Sequence, residues 1–206
     1  GYAGWSGTHE AGSSFESLTS PIHAKMFSFA SRGFWNAAML SLAVPILFRA
    51  TCYYMRRVYY RSMFGSPAAC AVGPAPHLAG YGGEKTLPFV LQNLHRYLLY
   101  LALVFIALHW WHVIHSFSYQ GHLRFGLGNV LLVVDTTLLT LYTTSCHAFR
   151  HIVGGNVDCF SCAKGGALRY KTWNLVSVLN GRHMDYFWAS LYSVIVADAW
   201  IRLCAA

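Results

Sequence analysis

The densest set of chemically capable side chains in this sequence is the string SCHAFRHIVGGNVDCFSC, residues 145–162, which carries Cys146, His147, His151, Cys159 and Cys162. His147 and His151 are four apart and share one face of a helix. Gly154 and Gly155 allow the chain to turn back, and Cys159 with Cys162 forms a C-x-x-C pair whose spacing lets two thiolates bind one metal ion. Two thiolates with two imidazoles can hold a Rieske-type 2Fe–2S centre, in which histidines on one iron raise the potential, or a tetrahedral zinc. A redox-active dithiol is a third option, with no βαβ pattern around it. The bland alternative is reduced structural cysteines and a histidine pair that bonds headgroups or a partner. Cys52, Cys70 and Cys204 are isolated in the sequence and read as packing residues.

Histidine supplies the second set: eleven in 206 residues. His95 precedes a long apolar stretch, and His109, His112 and His115 follow near its other end, spaced so that successive members lie on neighbouring helix faces. Histidines within a bundle are axial ligands for b-type haem, and His95 could face His147 or His183 for that purpose. The outer trio has no such partner on another helix and reads otherwise as interfacial histidines. Asp135 and Asp198 interrupt apolar stretches, where a carboxylate costs free energy unless paired or neutral. With His109 and His112 they form a candidate proton path or second quinone pocket, or else a helix-to-helix hydrogen bond. A quinone site needs donors to two carbonyl oxygens, a proton source and flat apolar walls. His95, Arg96, Arg150, Tyr170, Lys171, Trp173, Arg182, His183 and Tyr186 supply those types at one rim, although basic residues there also suit a docking surface.

The elements that must position these groups are set by composition. The chain is 55% hydrophobic, 16% aromatic and 11% charged. A soluble domain carries about 25% charged residues, so disorder, a nucleic-acid arm and an ordinary cytosolic enzyme are excluded. A helix crosses the ~30 Å hydrocarbon core with roughly 20 apolar residues. Four stretches qualify, at about 29–48 with Pro45 inside, 89–117, 125–149 and 186–203. The expected fold is therefore all-α, a polytopic transmembrane helical bundle over residues 29–206. An outer-side segment 1–28 precedes it, and the long loops are 49–88 and 150–185.

The formal net charge of +8 resolves into a topology. Arg49, Arg56, Arg57, Arg61, Lys85 and Arg96 lie in one connection and Arg150, Lys164, Arg169, Lys171 and Arg182 in the other. Only Lys25, Arg32, Arg124 and Arg202 lie opposite. That asymmetry places both long loops in the cytoplasm and makes nucleic-acid binding unnecessary to explain the charge. Aromatic residues at both rims, Tyr53, Tyr54, Tyr59 and Tyr60 among them, read as belt anchors. The stretch 65–88, rich in Gly, Pro and Ala, reads as an irregular connector, and no internal repeat is apparent. A chain beginning outside with a Gly/Ser-rich stretch and no secretory signal is expected to lack an N-terminal segment, such as a fifth transmembrane helix.

With SCHAFRHIVGG at the end of the third stretch, RYKTWNLVSVLNGRHMDYFWASL leading into the fourth, and DAWIRL near the end, the chain resembles the membrane-anchor (C) subunit of succinate dehydrogenase/fumarate reductase, of the single-anchor actinobacterial kind. The resemblance covers roughly residues 89–204. It implies a bacterial plasma-membrane protein on whose basic face an iron–sulfur subunit and a flavoprotein subunit dock, and it leaves room for a higher oligomer. It further implies electron delivery to menaquinone or ubiquinone at that rim, and a membrane-embedded Rieske-type centre instead of haem in some members. Family relatives carry a further Cys after the first His, where this sequence has Phe149.

Overall fold

The computed structural model describes residues 37–65, 69, 85, 87, 89–119, 122–123, 125–155 and 157–205. Among them are seven α-helices. Helix α1 is Ala37–Ala50 with Pro45 inside, and α2 is Tyr53–Ser62. A 3-10 turn, Phe89–Leu94, leads into α3, His95–Ser116. The two-residue strands β1 (Ser118–Tyr119) and β2 (His122–Leu123) then pair antiparallel, with Tyr119 opposite His122. Helix α4 is Leu127–Thr144 and α5 the single turn His147–Arg150, which continues as a π-turn, His151–Gly155. Helix α6 is Gly166–Gly181 and α7 is His183–Ala205. Apart from that two-residue pairing the described residues form an all-helical fold, as composition led to expect.

Val90–Ser116 and Leu127–Thr144 are long and apolar enough to cross a membrane, and only 22% of the most apolar 18 residues of each is buried within the chain. Their remaining apolar surface is suited to lipid, which replaces the soluble core as solvent for these side chains. The start and end of α4 have local causes. The Gly126 N–H donates to Asn129 Oδ1 at 3.0 Å, and Asn129 Nδ2 donates to the Ser116 carbonyl at 2.8 Å, so one amide side chain caps α4 and ties it to the end of α3.

Two expected boundaries differ. The third stretch does not run unbroken to 149: α4 stops at Thr144 and the chain turns at Ser145–Cys146 before α5. Hydroxyl side chains at 143–145 compete for backbone groups and favour such a break. The loop 49–88 holds a helix, α2, over Tyr53–Ser62, and the loop 150–185 is mostly α6. The segment 1–28, Cys70 and most of the 65–88 connector lie outside the described residues.

The chain divides into two compact units. One comprises Val44–Leu103 with Thr143–Met184; the other comprises Val104–Tyr142 and Asp185–Ala206, together with the chain up to Ala43. Within the first, α6 packs on α5 and the π-turn with no room to spare. A Cβ on Gly154 would lie 2.8 Å from Trp173 Cβ, and one on Gly166 would run into the Phe160 carbonyl.

Candidate redox centre and quinone cleft

Two helix-to-helix corners of the same type meet in the first unit. At the end of α1, Thr51 and Cys52 lead into α2; at the end of α4, Ser145 and Cys146 lead into α5. Cys52 is the N-cap of α2 with φ −59°, ψ 135°, and Cys146 the N-cap of α5 with φ −62°, ψ 142°. A hydroxyl residue followed by a capping cysteine is therefore repeated in sequence type, position and backbone conformation. Both cysteines are 2% exposed.

Buried His95 and half-buried His183 join the corners crosswise. His95 Nε2 is 3.0 Å from Cys146 Sγ, and His183 Nε2 is 3.4 Å from Cys52 Sγ. On the opposite side of each ring, His95 Nδ1 is 3.1 Å from Thr51 Oγ1 and His183 Nδ1 is 2.7 Å from Ser145 Oγ. Thr51 donates its own hydrogen to the Leu47 carbonyl at 2.8 Å, so its oxygen accepts from His95 Nδ1–H. That fixes the tautomer: the lone pair of His95 is on Nε2, aimed at Cys146. Phe48 stacks on the His95 ring at 4.4 Å and 8° between planes, which holds the ring's rotation.

Burial dominates the electrostatics of this set. Burial pushes the Cys146 thiol up to about 12, and the neighbouring Cys52 sulfur adds to the rise. Burial, reinforced by the Arg49 charge, pushes His183 down to about 4, so its imidazole is neutral. The Ala148 N–H donates to Cys146 Sγ at 3.4 Å. Asn180 Nδ2 donates to the Ser145 carbonyl at 2.7 Å and braces the second corner from α6.

This set opens on a cleft of about 350 Å³ lined by Cys52, Tyr53, Tyr54, Arg57, Cys146, His147, Asn180, Gly181, His183 and Met184. A second cleft, of about 420 Å³, is lined by Tyr53, Arg96, His147, Ala148 and His151. Tyr53 and His147 belong to both. The Tyr53 ring meets His95 edge-on at 6.1 Å and His147 edge-on at 6.4 Å, so one aromatic side chain links the buried set to the open clefts.

The structure does not bring together the five donors that sequence spacing singled out. Cys159 and Cys162 are joined to each other as a disulfide, so their sulfurs are committed to one another rather than aimed at Cys146. His147 and His151 are exposed and face the second cleft. Among the described residues no three Cys, His, Asp or Glu side chains converge where one metal ion would sit. Of the expected donors only Cys146 belongs to this set; its companions are Cys52, read from sequence as a packing residue, and His95 and His183, read from sequence as haem or quinone ligands.

Of the expected quinone residues, Arg96 lines the second cleft and His183 the first. Arg150 instead lies over Trp173 at 4.5 Å and donates from Nε to Ser177 Oγ at 2.8 Å. Tyr170 and Trp173 pack with Phe160 at 5.4 and 6.0 Å. Arg182 closes the end of α6, its N–H bonded to the Leu179 carbonyl, and Tyr186 lies half-buried on α7. In the other unit, Asp135 is buried and accepts from Ser193 Oγ at 2.6 Å, and Asp198 is exposed. His109 and His112 direct their Nδ1 atoms to the Phe105 and Leu108 carbonyls, each at 2.7 Å.

The donor set discriminates between prosthetic groups. Two thiols and two imidazoles match the ligand types of a Rieske-type cluster, which spreads four ligands over two irons, and the close pairs here each join one cysteine to one histidine. A tetrahedral zinc needs all four at one point, which the pairing does not offer. A bis-histidine haem through His95 fits poorly: its two nitrogens face Thr51 and Cys146, Phe48 covers one ring face, and neither cleft is lined by it.

Among curated proteins none matches the chain. Among solved structures it is similar to a chain of the Mycobacterium smegmatis Sdh1 complex in the apo form, with 43% sequence identity, a TM-score of 0.73 and 84% of this chain covered. The match spans 63% of that chain, so this sequence accounts for less than two thirds of its length. The family model described as actinobacterial succinate dehydrogenase subunit SdhC matches residues 14–206, and the chain belongs to that family.

Proposed function

We propose that this chain is the quinone-binding membrane anchor of a succinate:quinone oxidoreductase in a bacterial plasma membrane. Its basic loops, in this reading, face the cytoplasm and receive an iron–sulfur subunit, with a flavoprotein subunit beyond it that oxidises succinate. Family membership and the similarity to a chain of the Sdh1 complex support this assignment. The observation that carries its electron-transfer role is the crosswise set Cys52, His95, Cys146 and His183. These four residues would hold a Rieske-type 2Fe–2S centre in place of the Cys159, Cys162, His147 and His151 set. When bound, such a centre supplies one-electron transfer at a potential above that of all-thiolate clusters.

The protein's own contribution at the adjoining clefts is recognition of a quinone, menaquinone or ubiquinone. Arg57 and Arg96 supply cationic donors for its carbonyl oxygens, and Tyr53 and Tyr54 supply flat walls. His147, at the rim, carries protons between solvent and the reduced oxygens. Tyr53, which meets the His95 ring edge-on, is the wall between a ring bound in the clefts and that buried histidine.

Iron, acid-labile sulfide and zinc analysis of the purified complex, with electron paramagnetic resonance after reduction, tests this reading. A 2Fe–2S signal that disappears in Cys52→Ala is the expected result. Zinc in the complex together with no iron lost in Cys52→Ala, or b-type haem absorbance dependent on His95, would overturn it.

A further inference from the structure

The repeated corner governs more than the choice of ligands. Thr51 and Ser145 each stand one residue before a cysteine of the buried set, and each bonds the Nδ1 atom of the histidine whose Nε2 faces the other corner's cysteine. The arrangement is reciprocal: corner one holds the back of His95 and offers sulfur to His183, while corner two holds the back of His183 and offers sulfur to His95. Both hydroxyl residues are buried, Ser145 completely. A buried hydroxyl in a mainly apolar surrounding is retained only when bonded, since its desolvation is otherwise uncompensated. A packing role alone would be filled equally by valine at 51 and alanine at 145.

We propose that Thr51 and Ser145 are the positioning residues of the redox centre, fixing the Nδ1 side of His95 and His183 so that both Nε2 atoms are presented to the metal. This rests on the assignment of Cys52, Cys146, His95 and His183 as its ligands. Ligating imidazoles require such an acceptor for the second ring nitrogen, which sets tautomer and orientation and raises ligand basicity. Thr51 is locked as that acceptor because its hydrogen goes to the Leu47 carbonyl. Electron density donated through N–H···O favours the oxidised metal, so removal of the acceptor raises the midpoint potential.

The test uses the purified complex carrying Thr51→Val, Thr51→Ser, Ser145→Ala or Cys52→Ala, and reads iron retention against chelator, midpoint potential, and histidine-nitrogen hyperfine couplings. Loss of an outer-shell partner costs typically 10–100-fold in metal affinity, and that is the expected fall in chelator resistance for Thr51→Val, with a raised potential and altered nitrogen couplings. Thr51→Ser restores all three. Ser145→Ala reports the same effects on the second histidine and serves if Thr51→Val does not assemble. Wild-type retention, potential and couplings in both Thr51→Val and Ser145→Ala overturn the proposal while leaving the ligand assignment standing. An undiminished cluster signal in Cys52→Ala overturns the ligand assignment itself, and the positioning role with it.

Discussion

Cys52 Sγ lies 3.4 Å from His183 Nε2, across 131 residues of sequence. The contact brings a cysteine with no chemical neighbour in the sequence into a set with His95 and Cys146. It separates two readings of the cysteines by experiment. Cys52→Ala and Cys146→Ala are expected to abolish the Rieske-type 2Fe–2S resonance and lower iron content by one cluster, whereas Cys159→Ser leaves both unchanged, because the C-x-x-C sulfurs are bonded to each other. Loss of the signal in Cys159→Ser with retention in Cys52→Ala would return the centre to residues 145–162.

How much of this was legible in the sequence follows from what spacing encodes. The spans around α3 and α4 were, because twenty apolar residues in a row have one solution in lipid. Cys146 stood out through its histidine-rich neighbourhood. Cys52 did not: ligand spacing rules describe donors on one short segment, while these donors come from four separate helix ends. The available signal was the pair Thr51–Cys52 and Ser145–Cys146, each following an apolar stretch and preceding a basic helix, TCYYMRR and SCHAFRH. As an internal repeat it is only two residue types deep, and only the matching N-cap geometry makes it visible. Tyr53 was hidden for a different reason, since an aromatic at a membrane rim is ordinarily an anchor.

Arg96 and His147 line the second cleft together with Tyr53. Loss of a charged hydrogen-bond donor costs about 1.5–3 kcal/mol, which corresponds to a KM for quinone raised roughly 10- to 100-fold in Arg96→Gln. Succinate oxidation with an artificial acceptor that bypasses quinone stays at the wild-type rate. Steady-state kinetics with a soluble quinone analogue provide the check; an unchanged KM removes Arg96 from the site.

Gly166 and Gly181 bound the same helix and make opposite predictions. A Cβ at 166 meets the Phe160 carbonyl, a backbone atom that cannot rotate away, whereas nothing lies within 4 Å of one at 181. Overpacking costs about 1–3 kcal/mol, so Gly166→Ala is expected to lower the melting temperature of the detergent-solubilised anchor by several degrees. Gly181→Ala restricts the unfolded chain and changes stability by about +0.4–1 kcal/mol. Thermal unfolding of the two variants side by side reads the difference, and equal melting temperatures would show that α6 is free to shift off the 160 loop.

Asp135 on α4 accepts from Ser193 Oγ on α7 at 2.6 Å, in a buried position. Two roles are open to such a carboxylate: a tie between helices or a carrier of protons. Asparagine separates them, since its carbonyl still accepts from Ser193 but it cannot bind and release a proton. The bond found here favours the tie, which in membranes contributes about 0.6 kcal/mol on average. Asp135→Asn is therefore expected to keep wild-type quinone reduction and melting temperature, while Asp135→Leu loses stability because Ser193 is left facing an apolar side chain. Quinone-reductase turnover and thermal unfolding, measured on both variants, decide it. A large fall in turnover in Asp135→Asn at unchanged melting temperature would make the residue a proton carrier and give the hydrogen bond from Ser193 the task of holding it in place.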